Sequence, residues 1–543
     1  MSVTKQKMTV SDKISDKDIA AWNTNNIIVI QAGTGMGKSY FIKNKLYNYA
    51  KSRNEKILYL VHRAPLAEQF KMEVEDDSKD DVIHIKTYQS IEAKIANNKE
   101  CAETVFGEYR YIVCDEFHYF CGDSSFNSRT DISFKNIFKY DKAIKICTSA
   151  TPDEMKKVLT EYANHLELKF KSYVMRPDYK AIERLVFYDS PNKPEEILRS
   201  LKSDSKAIVF CKEIKEALRL HNIFKNSLFL CSKSAKEYKN VDEEAINKML
   251  KEEKFDAKIL FTTTCFDAGA TLKDRAIDTI IVDNCDINSL IQCVGRKRII
   301  DDSDWFDLYI KRYTNAEING WRTKAREKIA IGKCFLENKT EFVRKYGKEN
   351  SDMIYTELQG DNLISCLNIL RYSKAIYQDE LFTEIIECGI YGYCQYLAEI
   401  FGKCYKDSNG DLHYTYGLDN DRIAQLDEKL LFMSGVDPKR GVEIMYTTED
   451  RNNLIEAINY RINGRLVRNR EKLNERLEEL GLDYYIEKTT AKDENGKIYR
   501  SAWYVEQLIS EPEPKPTPIP LTPEEKLFNS KEYRNFLKWA WRG

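Results

Sequence analysis

At 543 residues with a formal net charge of −1, the chain is long enough for about three to four domains, yet it carries no global basic field of the kind that lets a protein coat nucleic acid by charge alone. Its 42% hydrophobic and 31% charged residues suit well-solvated globular cores. No apolar run approaches the roughly 18 residues of a membrane span, and MSVTKQKMTV lacks the apolar stretch of a signal peptide, so no membrane contact and a cytoplasmic location are expected.

Fourteen cysteines contain no CxxC pair, and Cys114, Cys147 and Cys211 sit inside apolar runs. They read as thiols in a reducing compartment. Cys388, Cys394, Cys404 and His413 match no zinc-module spacing.

From the N-terminus, short β-branched runs alternate with helical patterns: 27–31 (IIVIQ), 56–61 (KILYLV), 82–85 (VIHI), 111–115 (YIVCD) and 143–147 (AIKIC). A second series follows at 184–188, 207–211, 227–231, 258–262, 279–283 and 306–310. Alternation of this kind predicts α/β domains with parallel sheets, two in tandem. The segment SYVMRPDYK near 173–180 breaks the pattern and marks the boundary. From about Trp321 the texture becomes mainly helical. A basic helix is expected over 461–480, followed by two strands joined at Asn495-Gly496. The stretch 511–523 holds six of the twelve prolines and predicts an extended spacer before a short aromatic helix.

The chemistry starts at AGTGMGKS, residues 32–39, between a strand and a helix. Gly33, Gly35 and Gly37, with Thr34 and Met36 between them, suit a tight loop whose N–H groups face phosphate oxygens. The helix entered at Lys38, Ser39 and Tyr40 adds its positive end. Lys38 can reach the β- and γ-phosphates, and the Ser39 hydroxyl suits Mg²⁺. Ala32 departs from the usual first glycine. YIVCDEFH then ends a strand in Asp115-Glu116. Asp115 suits the same metal, and Glu116 suits a water-activating base.

In order along 27–300, these segments resemble superfamily 2 helicases of the DExH-box type. AGTGMGKS is similar to motif I, LVHRAPLAEQ (60–69) to Ia and TYQSI (87–91) to Ic. DEFH (115–118) is similar to the DExH box and TSATP (148–152) to motif III. IVFCK (208–212), TTTCFDAGATL (262–272) and QCVGRKR (292–298) are similar to motifs IV, V and VI. The resemblance implies ATP with Mg²⁺ as cofactors, and catalytic work for Lys38, Glu116, Gln292, Arg296 and Arg298. It implies a nucleotide contact at Gly269, coupling through His118, Ser149 and Thr151, and nucleic-acid contacts at His62, Arg63, Thr87, Gln89, Lys212 and Thr264. Motif VI usually ends with an arginine where Ile299 stands, so Arg298, one residue early, is expected to serve. The partner is nucleic acid, with DNA favoured, single-stranded or forked.

The expected organisation is two RecA-like domains, 1–175 and 176–315, then a helical region, 316–455, and a helix-plus-hairpin unit, 456–510, with a faint winged-helix resemblance. A spacer and a terminal helix, 524–543, complete it. Phe536, Trp539 and Trp541 of that helix either pack back or dock a protein partner. The implied function is an ATP-driven helicase or translocase, of phage or prophage type by analogy. A duplex translocase in a restriction or defence assembly and a non-enzymatic scaffold are the rivals.

Overall fold

The computed structural model describes residues 9–508, except 34, 97–100, 123, 125–126, 128–129, 268–270, 348–352, 360–361, 420, 436–441 and 463–464. Thr34, Gly269, the spacer and the terminal aromatic helix therefore lie outside the described residues.

The first series of apolar runs forms β1 (Asn26–Ala32), β2 (Ile57–Val61), β3 (Ile83–Thr87), β4 (Tyr111–Asp115) and β5 (Ile144–Ser149). With β6 (Lys169–Met175) they make a six-stranded sheet in the order β3-β2-β4-β5-β1-β6. All its pairings are parallel. Strands β2, β4 and β5 are buried at every residue, as expected of a sheet covered on both faces. Phe106, Phe120, Phe134 and Tyr162 lie in the core on one face. Trp22, Phe41, Tyr47 and Tyr173 lie in the other.

The expected break at SYVMRPDYK is partly a strand: its first residues belong to β6, which pairs with β1 along its whole length. β6 is an edge strand with several solvent-facing positions, including Lys169. Solvent-facing polar residues break up the apolar run that betrays inner strands.

The second series forms β7 (Ile182–Tyr188), β8 (Lys206–Phe210), β9 (Ser227–Phe229), β10 (Ile259–Thr262), β11 (Ile277–Val282) and β12 (Phe306–Lys311). A short strand far downstream, β17 (Gly417–Asp419), joins them, and the sheet order is β17-β7-β12-β11-β8-β10-β9, again parallel throughout. These two parallel sheets with helices on both faces are the two RecA-like domains.

Beyond β12 the chain is mainly helical. The helix Asn315–Glu337 starts at a Thr314/Glu317 capping box. It packs along the helix Ile369–Glu387. Between them stands a hairpin of β13 (Ile354–Gln359) and β14 (Asn362–Leu367). The helix Ile369–Glu387 touches both domains. Ile369 and Leu370 lie in the first domain's core, and Phe382 and Ile385 in the second's. After the helix Gly392–Ile400 come the strand pair β15 (Cys404–Lys406) and β16 (Leu412–Tyr414), then β17.

The last described unit has one core, drawn from the helices Arg422–Met433, Thr448–Ile458 and Arg470–Glu479 and from the hairpin β20 (Tyr484–Lys492) and β21 (Ile498–Gln507). Met445 bridges to Trp503 and so adds a third strand position. The helices before residue 456 thus share a core with those after it. The helix expected over 461–480 begins instead at Arg470. Residues before it pair as β18 (Arg461–Ile462) and β19 (Arg465–Leu466). The side chain of Asn469 accepts the Lys472 N–H and caps the helix at that point.

Candidate nucleotide site between two domains

Strand β1 is apolar because it lies inside the sheet, and its end delivers the loop that follows to the edge of the second domain. Gly35 and Gly37 have φ of +83° and +82°, a region open to glycine at little cost. Gly33 is required by crowding: a Cβ there would come within 2.8 Å of Pro177 Cβ in the interdomain segment. The loop closes with Met36 N–H donating to Gly33 O, and Val10 N–H donates to Met36 O. The segment Thr9–Trp22 therefore braces the phosphate loop. Sequence reasoning passed over it, although Thr9-x-x-Asp12 and Ser15-x-x-Asp18 are both capping boxes in the sequence.

Lys38 Nζ donates to Ala32 O at 3.0 Å and lies 3.5 Å from Glu116 Oε1. Asp115 ends β4, its carboxylate taking the Tyr59 hydroxyl at 2.5 Å and the Thr148 hydroxyl at 2.6 Å. Burial, then the charge of Glu116, pushes the Asp115 carboxyl up. Burial also presses upward on Glu116, but Lys38 and His118 override it and hold Glu116 well below the usual carboxylate range. Glu116 has a left-handed φ of +46°. A non-glycine residue held there stores strain that the surrounding contacts must offset. Phe117 N–H donating to Thr148 O is one such contact.

These groups fit a divalent cation. A buried Asp115 carboxylate pressed by a like-charged neighbour is a ready hard oxygen ligand, and the Ser39 side chain reaches the same Tyr59 phenol that holds Asp115. Tyr59 and Thr148 were not singled out in the sequence. A tyrosine and a threonine in apolar strands give no signal until the fold brings them to the carboxylate.

The second domain closes the site from across the cleft. Gln292 Nε2 donates to His118 Nε2 at 2.8 Å, which places the proton of His118 on Nδ1. That nitrogen lies 2.9 Å from Ser149 Oγ and 3.3 Å from Glu116 Oε2. Thr151 N–H donates to Ser149 Oγ at 3.0 Å, and Gln292 Nε2 reaches Thr151 Oγ1 at 3.5 Å. His118, Ser149, Thr151 and Gln292 are thus one hydrogen-bonded relay across the interface, with Glu116 beside it. Arg298 reaches the phosphate loop. A Cβ built on Gly35 would lie 2.9 Å from its guanidinium. Burial, then the charge of Arg296, brings Arg298 down to about 10. Arg296 is buried nearby, and the backbone bond from Arg298 N–H to Leu272 O fixes the register that turns Arg298 toward the loop. Tyr40 is exposed on the outer face.

The expected nucleic-acid contacts divide. Gln89 Nε2 donates to His62 O at 3.0 Å, which joins the loops after β2 and β3. Arg63 and Lys212 are exposed. Thr87 is occupied as a cap, its hydroxyl accepting Ser90 N–H. Thr264 is half-buried in a 3₁₀ turn. Among the described residues no group of three or more His, Cys, Asp or Glu is placed to hold a metal ion, and Cys388, Cys394 and Cys404 are free. No described helix is long and apolar enough to cross a membrane.

Residues 3–154 match the family model described as "Type III restriction enzyme, res subunit". No curated protein matches the chain. Among solved structures, S. cerevisiae Dbp5 bound to RNA and ADP BeF3 is 14% identical at a TM-score of 0.37, over 52% of this chain and 78% of that one. A DEAD box protein from the hyperthermophile Methanococcus jannaschii is 18% identical at 0.31, over 54% and 84%. The DUF1998 helicase MrfA bound to DNA is 16% identical at 0.38, over 72% and 55%. These are distant likenesses, and the two-sheet topology stands without them.

Proposed function

We propose, from the premise that residues 27–300 carry the motor of a superfamily 2 helicase, that this chain is a nucleic-acid-dependent ATPase that moves along or unwinds its substrate. The observation that supports this best is the pairing across the cleft: Gln292 on the His118–Ser149 relay and Arg298 against Gly35. A phosphate loop closed by side chains of a second domain makes hydrolysis depend on the domains' relative position.

In this reading the loop amides and Lys38 hold the β- and γ-phosphates. Lys38 then leaves Glu116, which regains basicity and takes a proton from the attacking water. Ser39 and Asp115 would hold Mg²⁺, which supplies charge neutralisation at the phosphates. In the same reading Arg298 would meet the charge that builds up in the transition state, taking the role of the usual last arginine of motif VI. Arg63, Lys212 and the loops tied by Gln89 offer contacts to a phosphate backbone, independent of base sequence. DNA is the favoured substrate.

The test is ATP turnover with and without single-stranded DNA, duplex DNA and RNA. We expect at least one polymer to stimulate, Lys38→Ala and Glu116→Gln to abolish turnover with Glu116→Gln still binding ATP, and Arg298→Ala to slow it about 10³-fold or more. Absence of stimulation by all three polymers removes the motor. Retained turnover in Glu116→Gln removes Glu116 as the base.

One observation favours a second reading. The family model over residues 3–154 is named for a restriction-enzyme subunit, which suits a motor that travels on duplex without parting it. Displacement of a triplex-forming strand without strand separation would select that reading.

A further inference from the structure

A cavity of about 980 Å³ lies beside the nucleotide site and is walled chiefly by six parts of the chain. These are the turn after β5, the interdomain segment around Pro177, the start of helix Ile287–Val294, and the three helices Asn315–Glu337, Ile369–Glu387 and Gly392–Ile400. That volume is at the upper end of small-ligand pockets and accepts a nucleotide with room for chain on either side.

Its walls carry charges of both signs, with Asp153, Asp178, Asp286 and Glu399 among them. Tyr377 and Tyr396, both half-buried, line it from two helices. Lys324 and Lys328, one helical turn apart, stand at the wall on a third, with Lys324 exposed and Lys328 half-buried. Glu154 is 5% exposed. Its Oε2 receives Asn288 Nδ2 at 3.4 Å. Its Oε1 is buried and has no hydrogen-bond partner among the described residues. Burial, only partly opposed by Lys374, pushes its carboxyl up to about 7. A buried carboxyl oxygen lacking a partner costs about 1–3 kcal/mol and marks a place where a donor is wanted. Lys212 connects this wall to the expected nucleic-acid face. Its ammonium lies 5.8 Å from the Tyr313 ring, and Tyr313 packs at 4.9 Å on Trp321, which lines the cavity.

Resting on the motor reading above, we infer that this cavity holds one nucleotide of a single strand. Its base lies against Tyr377 and Tyr396 with an N–H edge on Glu154, and its phosphate lies at Lys324 and Lys328. Rings serve any base because every base has a π-face, while lysines track the backbone. A nucleotide at Glu154 sits three residues from Thr151 of the relay, so filling the cavity is felt where the two domains meet.

The test uses the full chain with a 20-mer single strand carrying one 5-iodouracil, in a DNA arm and an RNA arm, crosslinked and mapped by peptide mass, beside affinity and ATPase measurements. Crosslinks to Tyr377 or Tyr396 are expected. The double variant Lys324→Glu/Lys328→Glu, in the middle of its helix, should weaken single-strand binding about tenfold or more and flatten its salt dependence by one to two phosphates. Tyr377→Leu should remove the crosslink and raise the polymer concentration for half-maximal stimulation, with melting temperature reporting folding. If the wild type is stimulated but crosslinks elsewhere, and the double variant binds normally, the cavity is not on the path and the inference falls while the motor stands. If no polymer binds or stimulates the wild type, both fall.

Discussion

Lys145, the second residue of β5, is fully buried, and its Nζ has no hydrogen-bond partner among the described residues. Burial brings its ammonium down to about 8. The native state thus binds fewer protons than the unfolded one between about pH 8 and pH 10.5. The cost is fully present below pH 8 and fades as pH rises through that window. Lys145→Met should therefore raise stability at pH 7 by about 1–3 kcal/mol and remove the alkaline rise in a pH series of urea midpoints. An unchanged midpoint at pH 7 would mean that Lys145 is satisfied in solution. At this scale the site was legible where chemistry demands particular residues. Lys38, Asp115, Glu116, Gln292 and Arg298 were named from spacing and resemblance, and they meet in one cleft. Tyr59, Thr148 and Glu154 were not, because a polar residue in an apolar strand or after a turn acquires meaning only from neighbours far off in sequence.

Among elements, the crossing of helices Asn315–Glu337 and Ile369–Glu387 depends on one missing side chain. A Cβ at Gly332 would lie 2.4 Å from the Tyr372 ring. Gly332→Ala, which would raise helix propensity in an isolated helix, should here destabilise by about 1–3 kcal/mol. Thermal unfolding measures it, and a gain in stability would show that Tyr372 can turn away freely. The inner strands of both sheets were readable because burial on two faces leaves continuous apolar runs. Edges were not. β6 is broken up by solvent-facing polar residues such as Lys169, and β17 is a three-residue strand that no local pattern connects to its neighbour β7. The expected helix over 461–469 failed for a local reason, the cap at Asn469.

For the whole molecule, the helix Ile369–Glu387 decides how freely the two domains part. Its first turn is held in the first domain by Leu370 in the core and by Arg371 Nε donating to Ser124 O at 2.5 Å. Its last turns are in the second domain's core. Lys157 adds an ion pair to Glu380 from outside. Leu370→Ala should loosen one end at a cost of about 2–5 kcal/mol. Distances between labels at Asn54 and Ser203, measured by energy transfer, should then spread relative to the parent. An unaltered distribution would show that the helix does not restrain the domains.

β17 has a consequence for how the chain is made. Gly417–Asp419 pairs with Val186–Tyr188, and Arg312 secures the junction through Asp421 at 2.7 Å. The edge of the second sheet therefore waits for a partner about 230 residues downstream. At roughly 5–20 residues per second on the ribosome, β7 stands bare for about 10–50 seconds. During that interval an open strand edge can pair with the same edge of another nascent copy. A copy still being made is thus open to edge-to-edge pairing until Gly417–Asp419 emerges to cover β7.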